Sequence, residues 1–172
     1  INKGTACLKL TLYFCLLPIS PVFLQTYYAF GGTQYLKIEV DAGLSCTVES
    51  LGNTVEYENG VSFCPDGRLL TMSGQFLLEF DVATGNTTQI AVWPGGGIPQ
   101  FYGMVCYSDS IIYTHEYPSG HLFIWNINSG IATDLGSTGV VPWEGFALVE
   151  GELYASNSAG IHQIDKTNPG NS

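Results

Sequence analysis

From about residue 25 onward the chain is written in short runs of alternating apolar and polar residues, separated by turns rich in Gly, Asp, Asn, Ser and Pro. Period-two alternation marks a half-buried β-strand, and no stretch here carries the helical period of about 3.6 residues. The runs also repeat. FLLEFDVATG (76–85) and HLFIWNINSG (121–130) share one grammar, with Asp81 and Asn126 45 positions apart and Gly85 and Gly130 again 45 apart. YLKIEVDAG places Asp41 40 positions before Asp81, and GIHQIDKTNPG places Asp165 39 after Asn126. A second motif keeps step: GVSF starts at Gly60, GMVC at Gly103 and GFAL at Gly145, at spacings of 43 and 42. Each leads through a polar turn (CPDG, YSDS, VEGE) into another apolar run (RLLTM, IIYTH, LYASN). A last run follows the Asp-to-Gly turn in CTVESLG, TTQIAVW and IATDLG.

One unit therefore holds four short strands in about 40–45 residues, the signature of β-propeller blades. Helical repeats of that length need amphipathic stretches that the Gly and Pro spacing forbids. The predicted fold is all-β: four-stranded antiparallel blades, with remnants at 26–52, 53–94, 95–138 and 139–172. The Gly-led runs are expected innermost, where blades converge and a missing side chain lets backbones approach. Alternate residues of the third run, such as Leu78 with Phe80 and Phe123 with Trp125, are expected to pack against a neighbouring blade. Asp81 and its counterparts are expected to cap the turn to the outer strand, and Gly85 to accept positive φ. Ahead of YLKIEV only TYYAF supplies a strand, so the first blade lacks a Gly-led member. The expectation is an incomplete ring, its first blade completed from the far end of the protein and further blades of the same chain following Ser172, since closed propellers have about four to eight.

The first 24 residues read differently. Lys3 and Lys9 precede the apolar stretch Leu10 to Leu17 and then Pro18 and Pro21. This is the pattern of a secretory signal peptide, with a buried N-terminal helix as the alternative. The prolines break the run short of the roughly 20 apolar residues of a spanning helix, so no membrane span is expected after its removal. The chain opens on Ile1, which is read as a fragment of a longer frame. From Gln25 onward only Lys37, Arg68 and Lys166 stand against all 15 acidic residues, a surface that repels phosphate backbones and excludes nucleic acid as a partner. With Cys7 and Cys15 in the presumed signal, Cys46, Cys64 and Cys106 remain. Cys106 aligns with Phe63 and is read as a small core residue, leaving Cys46 and Cys64 as the pair to test. No ligand spacing for structural zinc is present.

Several side chains invite chemistry. His115, Glu116 and His121 in THEYPSGH offer two imidazoles and a carboxylate to a transition metal. A third His is missing and the matching loops lack these residues, so solvated loop positions are expected. His162 stands where Leu78 stands in its own copy and is read as an interblade residue. Asp81, Asn126 and Asp165 suggest calcium, but each turn offers one reliable ligand against the six to eight or so oxygens that ion takes, so turn capping is expected. Glu144 and Asn157 near strand ends suggest a channel site of the metal-dependent lactonase kind, without a matching acid-and-amide set elsewhere. WPGGGIPQFYG, from Trp93 to Gly103, reads as a recognition loop or, preferably, a flexible interblade connection. No phosphate loop, nucleophile elbow or HExxH string occurs. Catalytic, cofactor and metal residues are therefore assigned to none.

The succession YYAFGGTQYLKIEVDAG, CTVESLGNTV, GVSFCPDGRLLTM and LLEFDVATGNTTQI resembles the N-terminal propeller-like region of large secreted proteins of gliding bacteria, which often end in a gliding-motility-associated or sorting domain. The resemblance covers about Tyr27 to the end and brings no catalytic residues with it. It implies a secreted or cell-surface, non-catalytic module for adhesion or for protein and glycan contacts. A metal-dependent hydrolase or lactonase using the channel is the alternative.

Overall fold

The computed structural model describes residues 25–31, 34–41, 45–53, 58–95, 100–140 and 145–171. The presumed signal, Glu144 and part of the 93–103 loop lie outside the described residues. The described residues form four antiparallel sheets and no α-helix. The first holds β1 (Gln25–Gly31), β2 (Gln34–Val40) and β3 (Cys46–Asn53). The second runs β4 (Glu58–Phe63), β5 (Leu69–Ser73), β6 (Phe76–Asp81) and β7 (Asn86–Val92). The third repeats it with β8 (Phe101–Cys106), β9 (Ile111–Glu116), β10 (His121–Asn126) and β11 (Ile131–Ser137). The fourth holds β12 (Gly145–Val149), β13 (Glu152–Asn157) and β14 (Gly160–Ile164), followed by a 3-10 turn at Pro169–Asn171. Strand order in every sheet follows chain order. This is the all-β, blade-like architecture that the repeat predicts.

The first strands of the second, third and fourth sheets lie against each other, β4 on β8 and β8 on β12. Their glycines make that approach possible. A Cβ on Gly60 would sit 2.9 Å from the Met104 amide nitrogen, and one on Gly103 would sit 2.8 Å from Phe146 Cβ. In each case the residue after one glycine fills the space left by the glycine of the preceding sheet. The turn glycine has a different task. Gly85 has φ of 73°, and a side chain there would run into the Leu51 carbonyl of the first sheet.

Hydrophobic burial lies between sheets rather than within them. Tyr35, Leu69 and Phe80 join the first sheet to the second, with Tyr35 and Phe80 stacked at 3.8 Å. Leu70, Met72, Leu77, Trp93, Met104, Ile112 and Trp125 join the second to the third. Val105, Tyr113, Leu122, Val140, Leu153 and Ile164 join the third to the fourth. A single sheet has no interior of its own, so stacking is what removes its apolar faces from water.

The strand pairing holds a regularity that alternation alone does not show. The ladder to the outer strand slips beside Tyr35, Leu77 and Leu122, leaving Leu51, Ile90 and Leu135 unpaired as bulges in β3, β7 and β11. All three pack against the interblade clusters. The bulge bends the outer strand and turns one extra apolar side chain inward.

The cysteine pairing differs from expectation. Cys64 bonds to Cys106, 42 residues away, with Cα atoms 4.9 Å apart, and Cys46 is also in a disulfide. Cys64 follows the last residue of β4 and Cys106 ends β8, so the close approach of inner strands brings them within bridging distance. Cys46 opens the outer strand of the first sheet, at the far edge from β4.

Candidate functional site

The two ends of the strands carry different chemistry. At one end lie the turns between first and second, and between third and fourth, strands. Asp81 Oδ1 accepts from the amides of Ala83 at 2.8 Å and Thr84 at 3.3 Å, while Oδ2 accepts from the Thr84 hydroxyl at 2.8 Å. Asn126 Oδ1 accepts from the amides of Asn128 and Ser129, both at 3.1 Å. Asp165 Oδ1 accepts from the amides of Thr167 at 2.8 Å and Asn168 at 3.0 Å and from the Thr167 hydroxyl at 2.7 Å. The Thr84 hydroxyl holds the Asp81 carboxyl below its ordinary pKa, and the Thr167 hydroxyl does the same for Asp165. The motif that suggested calcium is thus a set of capped turns.

Two shallow depressions sit beside these turns at equivalent places. One, about 440 Å³, is lined by Asp66, Arg68, Glu79, Asp81 and Thr88. The other, about 460 Å³, is lined by Glu152, Gln163, Asp165, Lys166 and Thr167. Each sets one cation among carboxylates and amides or hydroxyls. Arg68 is held by Asp66 at 2.6 Å and donates across the sheet junction to the Asp109 carbonyl at 2.6 Å. Lys166 donates to the Gly151 carbonyl and lies 5.3 Å from the centre of the Tyr107 ring. Such walls offer fixed donors and acceptors of both kinds to a polar ligand.

At the other end the hairpin 115–121 separates three residues that the sequence sets side by side. His115 departs from the expected solvated loop position. It is fully buried in β9 rather than solvated, because β9 runs on through it and it faces the fourth sheet opposite Gly103. Its Nε2 lies 3.0 Å from the Val140 carbonyl and 3.4 Å from the Thr138 hydroxyl. A carbonyl only accepts, so Nε2 carries the proton and Nδ1 is a bare acceptor, which has no partner. Burial pulls the His115 pKa down to about 4, against partial support for the cation from the Val140 carbonyl. Glu116 accepts from the Ser119 hydroxyl at 2.6 Å, and His121 Nδ1 pairs with Asp134 at 2.7 Å on the surface. These groups do not converge, and among the described residues no three His, Cys, Asp or Glu side chains form a metal-sized cluster.

Asn157 Oδ1 accepts from the amides of Ala159 at 2.9 Å and Gly160 at 3.2 Å, with His162 Nε2 at 3.1 Å. It closes a hairpin, with His162 half-buried on the sheet beside Ala155. The aromatics flanking the 93–103 loop are core. Trp93 and Phe101 are buried with ring centres 4.7 Å apart, and Trp93 also meets Phe123 and Trp125 edge to face. Neither is displayed to a ligand.

Sheets of three or four antiparallel strands, stacked face to face with Gly-led strands adjoining, define a β-propeller-type protein. The solved structures similar to this chain are of that type. One is a protein of unknown function from Bacteroides thetaiotaomicron, with TM-score 0.63, 14% identity, 84% of this chain and 43% of that one covered. Another is a nidogen/laminin complex, with TM-score 0.59, 15% identity, 76% of this chain and 52% of that one covered. A third is an auxiliary nutrient binding protein from Bacteroides thetaiotaomicron, with TM-score 0.55, 12% identity, 84% of this chain and 36% of that one covered. The chain spans about half or less of the length of these structures. No family model and no curated protein matches the sequence. Among the described residues no helix is long and apolar enough to cross a membrane.

Proposed function

We propose that the chain is a non-catalytic, exported β-propeller module that contacts protein or glycan at the cell surface or outside the cell. The observation that carries this reading is the repeated polar depression beside the capped turns of the second and fourth sheets. Asp66, Arg68, Asp81, Asp165 and Lys166 in its walls are already held by hydrogen bonds, which lowers the ordering entropy that opposes contact. The N-terminal segment and the likeness to secreted proteins of gliding bacteria support export. Structural neighbours solved as a nidogen/laminin complex and as a nutrient binding protein support a binding role.

The test is to probe purified chain against glycan and extracellular-protein arrays at physiological salt, with Glu79→Gln and Lys166→Gln beside it. Expected is saturable binding that one or both substitutions weaken several-fold while the thermal midpoint holds. Folded chain that binds nothing above background, or that hydrolyses lactones when given calcium or zinc, overturns the reading.

A further inference from the structure

The outer strands of the second and third sheets open on different chemistry. β7 begins Asn86-Thr87-Thr88, and Asn86 is the one Asn of the sequence with Ser or Thr two places on. Asn-x-Thr without an intervening proline is the acceptor signal for an N-linked glycan on an exported chain. At the equivalent places β11 holds Ile131 and Thr133, the same hydroxyl without the carboxamide.

Local structure leaves Asn86 open. The Asp81-to-Gly85 turn ends just ahead of it, and among the described residues β7 has no strand on its outer edge. Asn86 and Thr88 are exposed while Thr87 between them is half-buried, so carboxamide and hydroxyl project to one side of the strand. The side chains of Asn126 and Asn157 are tied to turn amides, whereas among the described residues no hydrogen bond holds that of Asn86. Asn86 also stands outside the three interblade clusters, so bulk added there displaces no core side chain.

The same side of β7 carries the first polar depression. In the ladder Asn86 stands opposite Asp81 and Thr88 opposite Glu79, and Asp81, Glu79 and Thr88 all line that hollow. Within residues 1–172 the fourth-sheet depression has no such signal beside it.

We propose that Asn86 carries an N-linked glycan that stands at the rim of the second-sheet depression and screens it, leaving the fourth-sheet depression open. In the transfer Asn86 Nδ2 bonds to the anomeric carbon of a polyprenyl-diphosphate-linked oligosaccharide. The bond from that carbon to the phosphate oxygen breaks, the lipid diphosphate leaves with the electron pair, and the amide proton goes to a base of the transferase. The export that transfer needs and the ligand that screening excludes rest on the proposed function; attachment and screening are measured without a ligand.

The 172-residue chain is secreted from cultured insect cells behind an added leader, beside Asn86→Gln, Thr88→Ala and Thr88→Ser. Expected is a glycan mass on the peptide that contains Asn86, removed by peptide N-glycosidase, absent from the first two variants and present in Thr88→Ser. Folded, secreted chain without that mass overturns the proposal. Screening is read by carbodiimide-driven coupling of glycinamide to carboxylates. Coupling at Glu79 is expected to be several-fold slower in the glycosylated chain than in Asn86→Gln, while Glu152 in the other depression couples equally in both. Equal coupling at Glu79 overturns the screening. Arrays on which neither form binds sink the binding role and leave both of these results standing.

Discussion

The junction between the second and third sheets and the junction between the third and fourth are built on one backbone plan but filled with opposite chemistry. Opposite the inner glycine the first junction places Met72 and the second His115. Where the chain leaves the outer strand the first places Trp93 and the second Thr138, and both donate their amide to the preceding hairpin at 2.8 Å. Met72 and Trp93 form an apolar pair inside an aromatic cluster, backed by the Cys64–Cys106 bond. His115 and Thr138 form a polar pair that grips the Val140 carbonyl. The two changes go together because a buried imidazole needs a partner that an indole in Trp93's place does not offer. A repeat protein can thus set the strength and the pH response of each junction separately while keeping its fold.

The covalent bond makes the largest difference between the two junctions. Replacing both Cys64 and Cys106 by Ala is expected to destabilise the chain by about 2–5 kcal/mol. Exchange mass spectrometry is expected to show β4 and β8 losing protection more than β12.

Next comes acid. His115 is neutral in the fold, with a pKa near 4, and regains an ordinary value near 6.5 when unfolded. Its contribution is complete above about pH 6.5 and fades as pH falls toward 4, because the unfolded chain takes up the proton first. At roughly 1.4 kcal/mol per unit this is about 3–4 kcal/mol, and the third-to-fourth junction loosens first. No carboxylate on β8, β12 or residues 138–140 compensates; Glu116 beside it favours the cation and His121 opposes it. His115→Met, which copies the earlier junction, is expected to flatten the difference in denaturation midpoint between pH 7 and pH 4.5. An unchanged slope means that His115 is not buried as a neutral group.

Thr138→Val is a smaller disturbance. It removes the hydroxyl that donates to the Val140 carbonyl at 2.8 Å and accepts from the Val140 amide at 3.1 Å, at a cost of about 1–3 kcal/mol by equilibrium unfolding. Least affected is the surface pair: His121→Gln breaks the contact with Asp134 and is expected to cost under about 1 kcal/mol.

Much of this architecture is legible in the residues because a repeat states its own register. Gly60, Gly103 and Gly145 announce inner strands, and Asp81, Asn126 and Asp165 announce capped turns, since each task admits few side chains. What escapes reading is contact between units. Cys106 aligns with Phe63 and looks like packing, yet its neighbour in space is Cys64, one residue beyond the aligned position. His115 sits in a string of polar residues that resembles a loop, although its place opposite Gly103, where Met72 stands opposite Gly60, was available as a signal of burial. Leu51, Ile90 and Leu135 gave a fainter one: an apolar residue recurring in outer strands that face water. Alternation carries no mark for a bulge, because the extra residue appears only when two strands are paired.

The bond between Cys64 and Cys106 also spans the linker that joins the second sheet to the third. A protease that cuts that linker severs the polypeptide without releasing either half. The nicked product is expected to migrate as one species until a reductant is added, and only then as two fragments.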